Sequence, residues 1–86
     1  MKIFIGRHFK KQYTKLSERQ KDQFKLRRDL FLQNPFHPLL NNHALRGEYR
    51  NYRGISITGD LRVIYQSIGK NSVLFIIIAT HSQLYD

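Results

Sequence analysis

The chain has 86 residues and no cysteine, and 15 Lys and Arg against six Asp and Glu give it a formal net charge of +9. This length predicts one compact domain over residues 1–86, with a single core and no separate cofactor domain. The composition excludes disulfides and Cys-based zinc or iron–sulfur sites, and the positive charge favours a polyanionic partner such as a nucleic acid.

Apolar runs in the sequence are short. The longest, Val73 to Ala79, has seven residues, far fewer than the ~20 needed to cross a bilayer. The segment Met1 to Gly6 lacks the length and the cleavage site of a signal peptide. We therefore expect a cytoplasmic protein with no membrane partner.

The first elements in chain order are a short strand and a helix. Lys2 to Ile5 has the composition of a strand. Phe9, Tyr13 and Leu16 then recur at i, i+4 and i+7, which is one face of a helix. This spacing predicts a first helix with an inward-facing apolar side.

A second helix begins after Ser17, because Ser17 to Gln20 has the pattern of a capping box. Asn34 to Pro38 ends this helix, since each proline disfavours helical geometry in the residue before it. A loop is predicted from there to about Glu48. The predicted apolar face of the helix is formed by Phe24, Leu26, Leu30 and Phe31.

Three strands are predicted in the second half, over Tyr52–Ile57, Leu61–Ser67 and Ser72–Thr80, with tight turns at Thr58–Asp60 and Gly69–Asn71. These strands form an antiparallel meander. The third is apolar on both faces, as expected of a central strand. Helices followed by strands that share one core indicate an α+β domain.

The turn between the first two of these strands decides which side chains share a face. A two-residue turn would mix apolar and charged groups on one side. A three-residue turn puts Ser56 and Arg62 together on one face. The other face then carries two apolar pairs, Ile55–Val63 and Ile57–Leu61, and becomes the core side.

The residues give little support for a metal or another cofactor. The four histidines, His8, His37, His43 and His81, have no pair at i, i+4 and no HExxH motif, and carboxylates are scarce in the second half. A nuclease built from this chain would therefore work without metal. RNA suits that chemistry, because cleavage needs a base for the ribose 2′-hydroxyl, an acid for the leaving oxygen and cations at the phosphate.

Several side chains could supply these groups, and each has a plainer interpretation. Asp60 could act as a base, orient a histidine, pair with a cation or serve only as a turn residue. Arg62 suits a phosphate because its planar donors bind two oxygens. His81 and His43 are candidates because histidine as a residue type suits the role of base or acid, and Tyr85 could stack on a base or cover the core edge.

The motifs together resemble the RelE superfamily of bacterial toxins, most closely its YafQ-like branch. The matching segments span the chain in order: His43–Gly47, Tyr52–Arg53, Gly59–Tyr65 and Ala79–Tyr85. The most specific parts are His-x-Leu-x-Gly, Asp-x-x-x-x-Tyr and Thr-His-x-x-Leu-aromatic. The resemblance implies a RelE-like α+β fold in which two N-terminal helices pack on a small antiparallel β-sheet.

The resemblance also implies a function and its partners. The chain would be the toxin of a type II toxin–antitoxin pair, a ribosome-dependent endoribonuclease that cuts mRNA in the ribosomal A site. Its partners would be an acidic antitoxin, the ribosomal RNA and mRNA. The family positions carried onto this chain are His43, Asp60, Arg62, His81 and Tyr85.

This chain departs from the family at three places. A second histidine of the branch falls on Ser56, a tryptophan after the aspartate falls on Leu61, and the strand lysines of RelE leave only Arg53 nearby. Since a serine cannot act as a base at neutral pH, the base is His43, Asp60 or His81. We assign His81 as acid, His43 or Asp60 as base, Arg62 to the phosphate and Tyr85 to the nucleotide.

Other cations are candidates for docking on RNA or the ribosome, and each could equally be a solvated surface residue. They are Lys10, Lys11, Arg19, Arg46, Arg50 and Arg53. Two other functions remain open on the same fold: a ParE-like toxin that poisons DNA gyrase, and a non-catalytic RNA-binding module. Convergence of the histidines and Asp60 around Arg62 would favour the nuclease, whereas a spread of more than ~10 Å would favour a binder.

Overall fold

A computed structural model describes the backbone of residues 1–85 and the side chains of residues 1–84. The predicted α+β fold is confirmed, with two N-terminal helices on a small sheet. Two short 3₁₀ turns, Pro38–Leu40 and Gly47–Tyr49, lie between the second helix and the third strand. The helices and strands are β1 (Lys2–Ile5), α1 (Arg7–Thr14), α2 (Glu18–Gln33), β2 (His43–Ala44), β3 (Arg53–Ser56), β4 (Leu61–Gly69), β5 (Ser72–Thr80) and α3 (His81–Tyr85).

The predicted start of α2 is confirmed in detail. The Ser17 hydroxyl accepts from the backbone N–H of Gln20 at 3.1 Å, and Gln20 Oε1 accepts from the backbone N–H of Ser17 at 3.0 Å. These two bonds satisfy donors that the first turn of a helix otherwise leaves unpaired. The helix ends at Gln33, just before Asn34 and Pro35, as predicted.

The predicted apolar face of α2 is only partly correct. Phe24 and Phe31 are buried and Leu30 packs at the edge of the core. Leu26, however, is 64% exposed, so its assignment to the core is wrong. At 100° per residue Phe31 lies about 20° from Phe24 around the helix, whereas Leu26 lies about 160° away on the opposite side.

Aromatic rings fill the space between the helices and the sheet. Phe31 packs edge-on against Tyr65 and Phe75, with ring centroids 5.1 and 5.6 Å apart. Phe9 of α1 lies 5.5 Å from the ring of Phe24. Pairs of this kind each stabilise a core by about 0.5–1.5 kcal/mol beyond the burial of their area. No helix within the described residues is long and apolar enough to span a membrane.

The strands form one sheet in the order β1-β5-β4-β3-β2. The predicted antiparallel meander of β3, β4 and β5 is confirmed, and β2 extends it antiparallel. β1 differs, because it joins the other side of β5 in parallel. A four-residue strand carries no signal for its own direction, which depends on where the helices return the chain.

The register of the β3–β4 hairpin agrees with the three-residue turn. Ile55 pairs with Val63, and both lie in the core that α1 and α2 cover. Ser56 pairs with Arg62 on the opposite face of the sheet. That second face, which the helices do not cover, carries most of the candidate residues.

Candidate active site

Asp60 and His81 lie next to each other at one end of the sheet. The pairing of Leu61 with Thr80 brings the start of β4 beside the end of β5. The backbone N–H of His81 donates to the carbonyl oxygen of Asp60 at 3.0 Å and to its carboxylate Oδ1 at 3.2 Å. The aspartate thus fixes the point at which the chain leaves β5 and enters α3.

α3 begins at His81 because its first turn has a capping arrangement of its own. Thr80 Oγ1 accepts from the backbone N–H of Gln83 at 3.2 Å, and Gln83 Oε1 accepts from the backbone N–H of Thr80 at 2.9 Å. The histidine is therefore the first residue of a helix, not the end of a free tail. Tyr85 ends this helix, and its side chain lies outside the described part of the chain.

Arg62 lies on the same end of the sheet, on the face that the helices leave open. Its Nη1 donates to the hydroxyl oxygen of Ser56, its partner across the β3–β4 pair, at 2.8 Å. Within residues 1–84 the ion pairs join Lys21 to Glu18 and Arg28 to Asp29. The guanidinium of Arg62 therefore has a neutral partner there, and its charge is not cancelled by a carboxylate.

His43 lies in the short strand β2, where a loop was predicted. Its Nδ1 lies 2.8 Å from the carbonyl oxygen of Asn41. A carbonyl oxygen can only accept, so Nδ1 carries the proton in the neutral ring and Nε2 carries the lone pair. The hydrogen bond thus leaves Nε2 able to accept a proton.

Gly54 lies beside the imidazole of His43 and the side chain of Leu45. The two residues pair across β2 and β3. A Cβ atom at Gly54 would lie 3.5 Å from His43 Cε1 and 3.3 Å from a methyl carbon of Leu45. Gly54 pairs with Ile64, which is two residues from Arg62, so the imidazole lies on the same face of the sheet as the guanidinium.

The structure brings Asp60, His81 and Arg62 together and places His43 further along the same face. Strand β3 separates β2 from β4, and strands lie about 4.8 Å apart, so His43 stands roughly 10 Å to the side of β4. Its level on the sheet is that of Ile64, about 7 Å along the strand from Arg62. His43 therefore lies more than ~10 Å from Arg62 along the sheet, so the expected convergence around Arg62 is met by Asp60 and His81 but not by His43.

The loop that carries His43 is held by a polar network on the helical side of the sheet. The amide nitrogen of Asn42 donates to the Tyr65 hydroxyl at 2.7 Å and to the carbonyl oxygen of Pro35 at 2.9 Å. Arg53 Nε donates to Asn42 Oδ1 at 2.7 Å, and its guanidinium lies over the ring of Phe36. The Arg53 side chain is therefore engaged in contacts within the protein, unlike the other cations that are predicted to bind RNA.

Those other cations are exposed. Lys10 and Lys11 lie on α1 and Arg19 in the first turn of α2, all on the helical layer. Arg46 and Arg50 flank the 3₁₀ turn after β2, and Arg46 lines a small pocket of about 260 Å³ together with His43. The cations therefore form two groups, one on the helices and one beside His43.

Two features of the site are not evident from the sequence: Gly54 beside His43, and Asn42 as the anchor of the loop. The hairpin register did put Ser56 and Arg62 together, but it did not predict the hydrogen bond between them. The start of α3 could have been predicted, because Thr80 to Gln83 repeats the capping-box pattern of Ser17 to Gln20. Within the described residues, no group of three histidine or carboxylate side chains could hold a metal ion.

The family model of the bacterial toxins of type II toxin–antitoxin systems called YafQ matches residues 1–86. The chain belongs to the YafQ toxin family. The resemblance identified from the motifs is thereby confirmed. Comparison with curated proteins gave no significant sequence match.

Solved structures place this YafQ-family toxin among folds of the same kind. The crystal structure of YafQ from E. coli strain BL21(DE3) has a TM-score of 0.81 at 20% identity, covering 98% of this chain and 97% of that one. YafQ in the E. coli DinJ–YafQ toxin–antitoxin complex has a TM-score of 0.78 at 20% identity, covering 98% and 96%. A YoeB/ParE toxin from Agrobacterium tumefaciens has a TM-score of 0.77 at 20% identity, covering 94% and 99%. At this identity the likeness concerns the fold.

Proposed function

We propose that this YafQ-family toxin is a ribosome-dependent endoribonuclease that cleaves mRNA in the ribosomal A site without a metal ion. The observation that carries the proposal is the contact between Asp60 and His81 beside Arg62. A histidine, a carboxylate and a guanidinium whose hydrogen-bond partner within residues 1–84 is neutral lie at one end of the sheet, and these are the groups that phosphodiester cleavage requires.

The proposed reaction uses the 2′-hydroxyl of the substrate as the nucleophile. A base removes its proton, O2′ bonds to phosphorus, and the bond from phosphorus to the 5′ oxygen of the next nucleotide breaks. An acid returns a proton to that leaving oxygen. The products are a 2′,3′-cyclic phosphate and a free 5′-hydroxyl, so atoms and charge balance without a further reactant.

We assign His81 as the acid and keep both His43 and Asp60 as candidate bases. Base and acid serve oxygens on opposite sides of one phosphorus, each at hydrogen-bond reach of about 2.6–3.2 Å, so they bracket the phosphate and do not touch each other. His43 and His81 lie on the two sides of Arg62. The guanidinium then lies where negative charge develops on the phosphate.

Asp60 has a different place in this proposal. Its Oδ1 already accepts from the backbone N–H of His81, which suits a residue that positions the start of α3. Since Asp60 is exposed and lies next to the acid, it remains the alternative base. Tyr85, at the end of the same helix, is assigned to the nucleotide from the family pattern alone.

The partners we propose follow from charge and from the family. A cognate antitoxin fits because the family consists of toxins of such pairs, and the E. coli relative is in complex with DinJ. A chain with a formal net charge of +9 attracts an acidic segment of that partner. The same charge favours docking on ribosomal RNA in the cytoplasm, where ribosomes and mRNA are present.

Cleavage on programmed ribosomes tests the proposal. Purified ribosomes carrying an mRNA with a defined A-site codon are mixed with the toxin, and the cut is mapped by primer extension. We expect a single cut in the A-site codon with wild type and a loss of about 10²–10⁴ in rate for His81→Asn, the range for one positioned acid or base.

The matched control is His37→Asn. His37 caps the 3₁₀ turn by accepting from the backbone N–H of Leu39, and an asparagine side chain can accept the same bond. This variant should cut at the wild-type rate. Equal rates for wild type and His81→Asn would contradict the catalytic role. Inhibition of DNA gyrase supercoiling without mRNA cleavage would instead support the ParE-like function.

A further inference from the structure

A groove of about 340 Å³ with one polar wall lies outside the candidate active site, where α1, the start of α2 and the ends of β4 and β5 meet. Its polar wall is formed by His8, Lys15 and three glutamines, Gln12, Gln20 and Gln83. None of the sequence motifs assigns a function to this groove.

In each of the three glutamines, the side-chain oxygen and not the nitrogen bonds to the protein backbone. Each Oε1 accepts from a backbone N–H. The respective donors are Ile78 at 3.0 Å, Ser17 at 3.0 Å and Thr80 at 2.9 Å. Because only the oxygen of a carboxamide accepts, these bonds fix which end of each amide faces the backbone. The NH₂ group of each glutamine is left as a donor, and within residues 1–84 none of them has an acceptor.

The groove therefore offers donors and positive charge. Three NH₂ groups stand beside the Lys15 ammonium and the His8 ring, and among residues 1–84 no carboxylate lines the space. A ligand that matches this wall is rich in acceptors and negatively charged, which describes a phosphodiester.

The position of the groove indicates which phosphodiester of a bound strand it would contact. Leu61 and Thr80 also line it, and they are the chain neighbours of Asp60 and His81. The groove therefore begins at the edge of the sheet where those two residues meet. A strand whose scissile linkage lies at Arg62 would pass over this edge with an adjacent phosphate at the glutamines.

We propose that this groove binds a phosphate of the RNA strand next to the linkage that is cut. The identity of the strand rests on the proposed nuclease function, whereas anion binding in the groove does not. The glutamines are positioning residues for the substrate, and they take no part in proton transfer.

Solution NMR of the full chain tests the proposal, because the side-chain NH₂ groups of glutamine give their own signals. The probe is a 2′-O-methyl tetranucleotide, which cannot be cut by 2′-hydroxyl attack, followed by inorganic phosphate and an acidic peptide. We expect the NH₂ signals of Gln12, Gln20 and Gln83 to move with the oligonucleotide.

Gln20→Glu is the variant that best separates an effect on binding from an effect on stability. A glutamate still accepts from the backbone N–H of Ser17, so the capping box of α2 survives, and a negative charge at a helix N-terminus is favourable. Gln33→Glu makes the same change in net charge at the exposed far end of the same helix. We expect Gln20→Glu to unfold at no lower temperature than wild type but to bind the oligonucleotide about ten-fold more weakly, since a donor becomes a negative acceptor. Gln33→Glu should change affinity less than about two-fold.

Several results would overturn the proposal. If Gln20→Glu and Gln33→Glu weaken oligonucleotide binding equally, the effect comes from the net charge of the protein and not from the groove. Glutamine signals that move with the acidic peptide and not with the oligonucleotide would assign the groove to a protein partner. If the signals move as expected and programmed ribosomes carry uncut mRNA, the groove is supported as an RNA site and the nuclease proposal fails by itself.

Discussion

Arg62 and Ser56 are joined across the β3–β4 pair by a hydrogen bond of 2.8 Å from Nη1 to Oγ. The serine holds the guanidinium in place without neutralising it, because a hydroxyl carries no charge. A carboxylate at this position would compete with a substrate phosphate for the same donors. Ser56 thus serves Arg62 as a neutral partner.

This contact predicts the effect of removing the hydroxyl. Ser56→Ala should lower the single-turnover rate of mRNA cleavage by roughly ten-fold, since a hydrogen bond to a charged group contributes about 1.5 kcal/mol or more. Ser56→Thr keeps an oxygen at the same atom position and should retain most of the rate. A full rate for Ser56→Ala, measured on programmed ribosomes, would show that Arg62 needs no such support.

The contact between Asp60 and His81 separates two roles of the carboxylate. Asp60→Asn keeps an oxygen that accepts from the backbone N–H of His81 but removes the charge. If Asp60 positions His81, the asparagine variant should stay within about ten-fold of wild type, whereas Asp60→Ala should lose about 10² or more. The measurement is the rate of A-site cleavage for both variants at one pH. Equal and large losses in both would identify Asp60 as the base.

Gly54 gives a prediction about His43 that does not touch the imidazole itself. In Gly54→Ala the new methyl group would meet Leu45 at 3.3 Å, so that side chain must shift by a few tenths of an ångström, whereas its 3.5 Å distance from His43 Cε1 is an ordinary van der Waals contact. We expect a loss of about three-fold in cleavage, because the shift at Leu45 reaches His43 only indirectly, two residues earlier in the chain, and small displacements of a reacting group are costly. Stability should change by less than about 1 kcal/mol, because alanine also reduces the freedom of the unfolded chain.

A control for this variant is Gly59→Ala. Gly59 lies in the β3–β4 turn, and a Cβ there would meet no atom within 4 Å. It makes the same chemical change without displacing a neighbour. If Gly54→Ala and Gly59→Ala cut mRNA equally well, His43 is either not displaced or not needed.

The features of the fold that depend on interactions between residues close in sequence were predictable. The capping box of α2, the prolines after it and the pairing of Ile55 with Val63 all depend on residues near one another in the sequence. The predictions that were wrong concern features that depend on residues distant in the sequence. Leu26 sits in an apolar pattern, yet the sheet packs against the side of α2 that carries Phe24, and the direction of β1 is set by where the helices return the chain.

The site was predictable to a similar degree. Motif order pointed to Asp60, Arg62 and His81, and the hairpin register put Arg62 on the open face. The supporting roles of Gly54 and Asn42 could not be predicted in this way, because they depend on contacts between segments distant in the sequence. The register placed Ser56 beside Arg62 but did not predict their hydrogen bond. α3 was the exception: Thr80 and Gln83 have the capping-box spacing, but the apolar run before them reads as a strand that ends at the tail.

The core and the loop of His43 are linked through Tyr65, which gives a last prediction. Phe31 is fully buried against Tyr65, whose hydroxyl accepts from the amide of Asn42. Phe31→Ala should lower the free energy of unfolding by about 3–5 kcal/mol, because it leaves a cavity under this network. Leu26→Ala, on the exposed side of the same helix, should change it by less than about 0.5 kcal/mol. Urea unfolding followed by circular dichroism measures both, and a loss for Leu26→Ala as large as that for Phe31→Ala would contradict the packing of α2 described above.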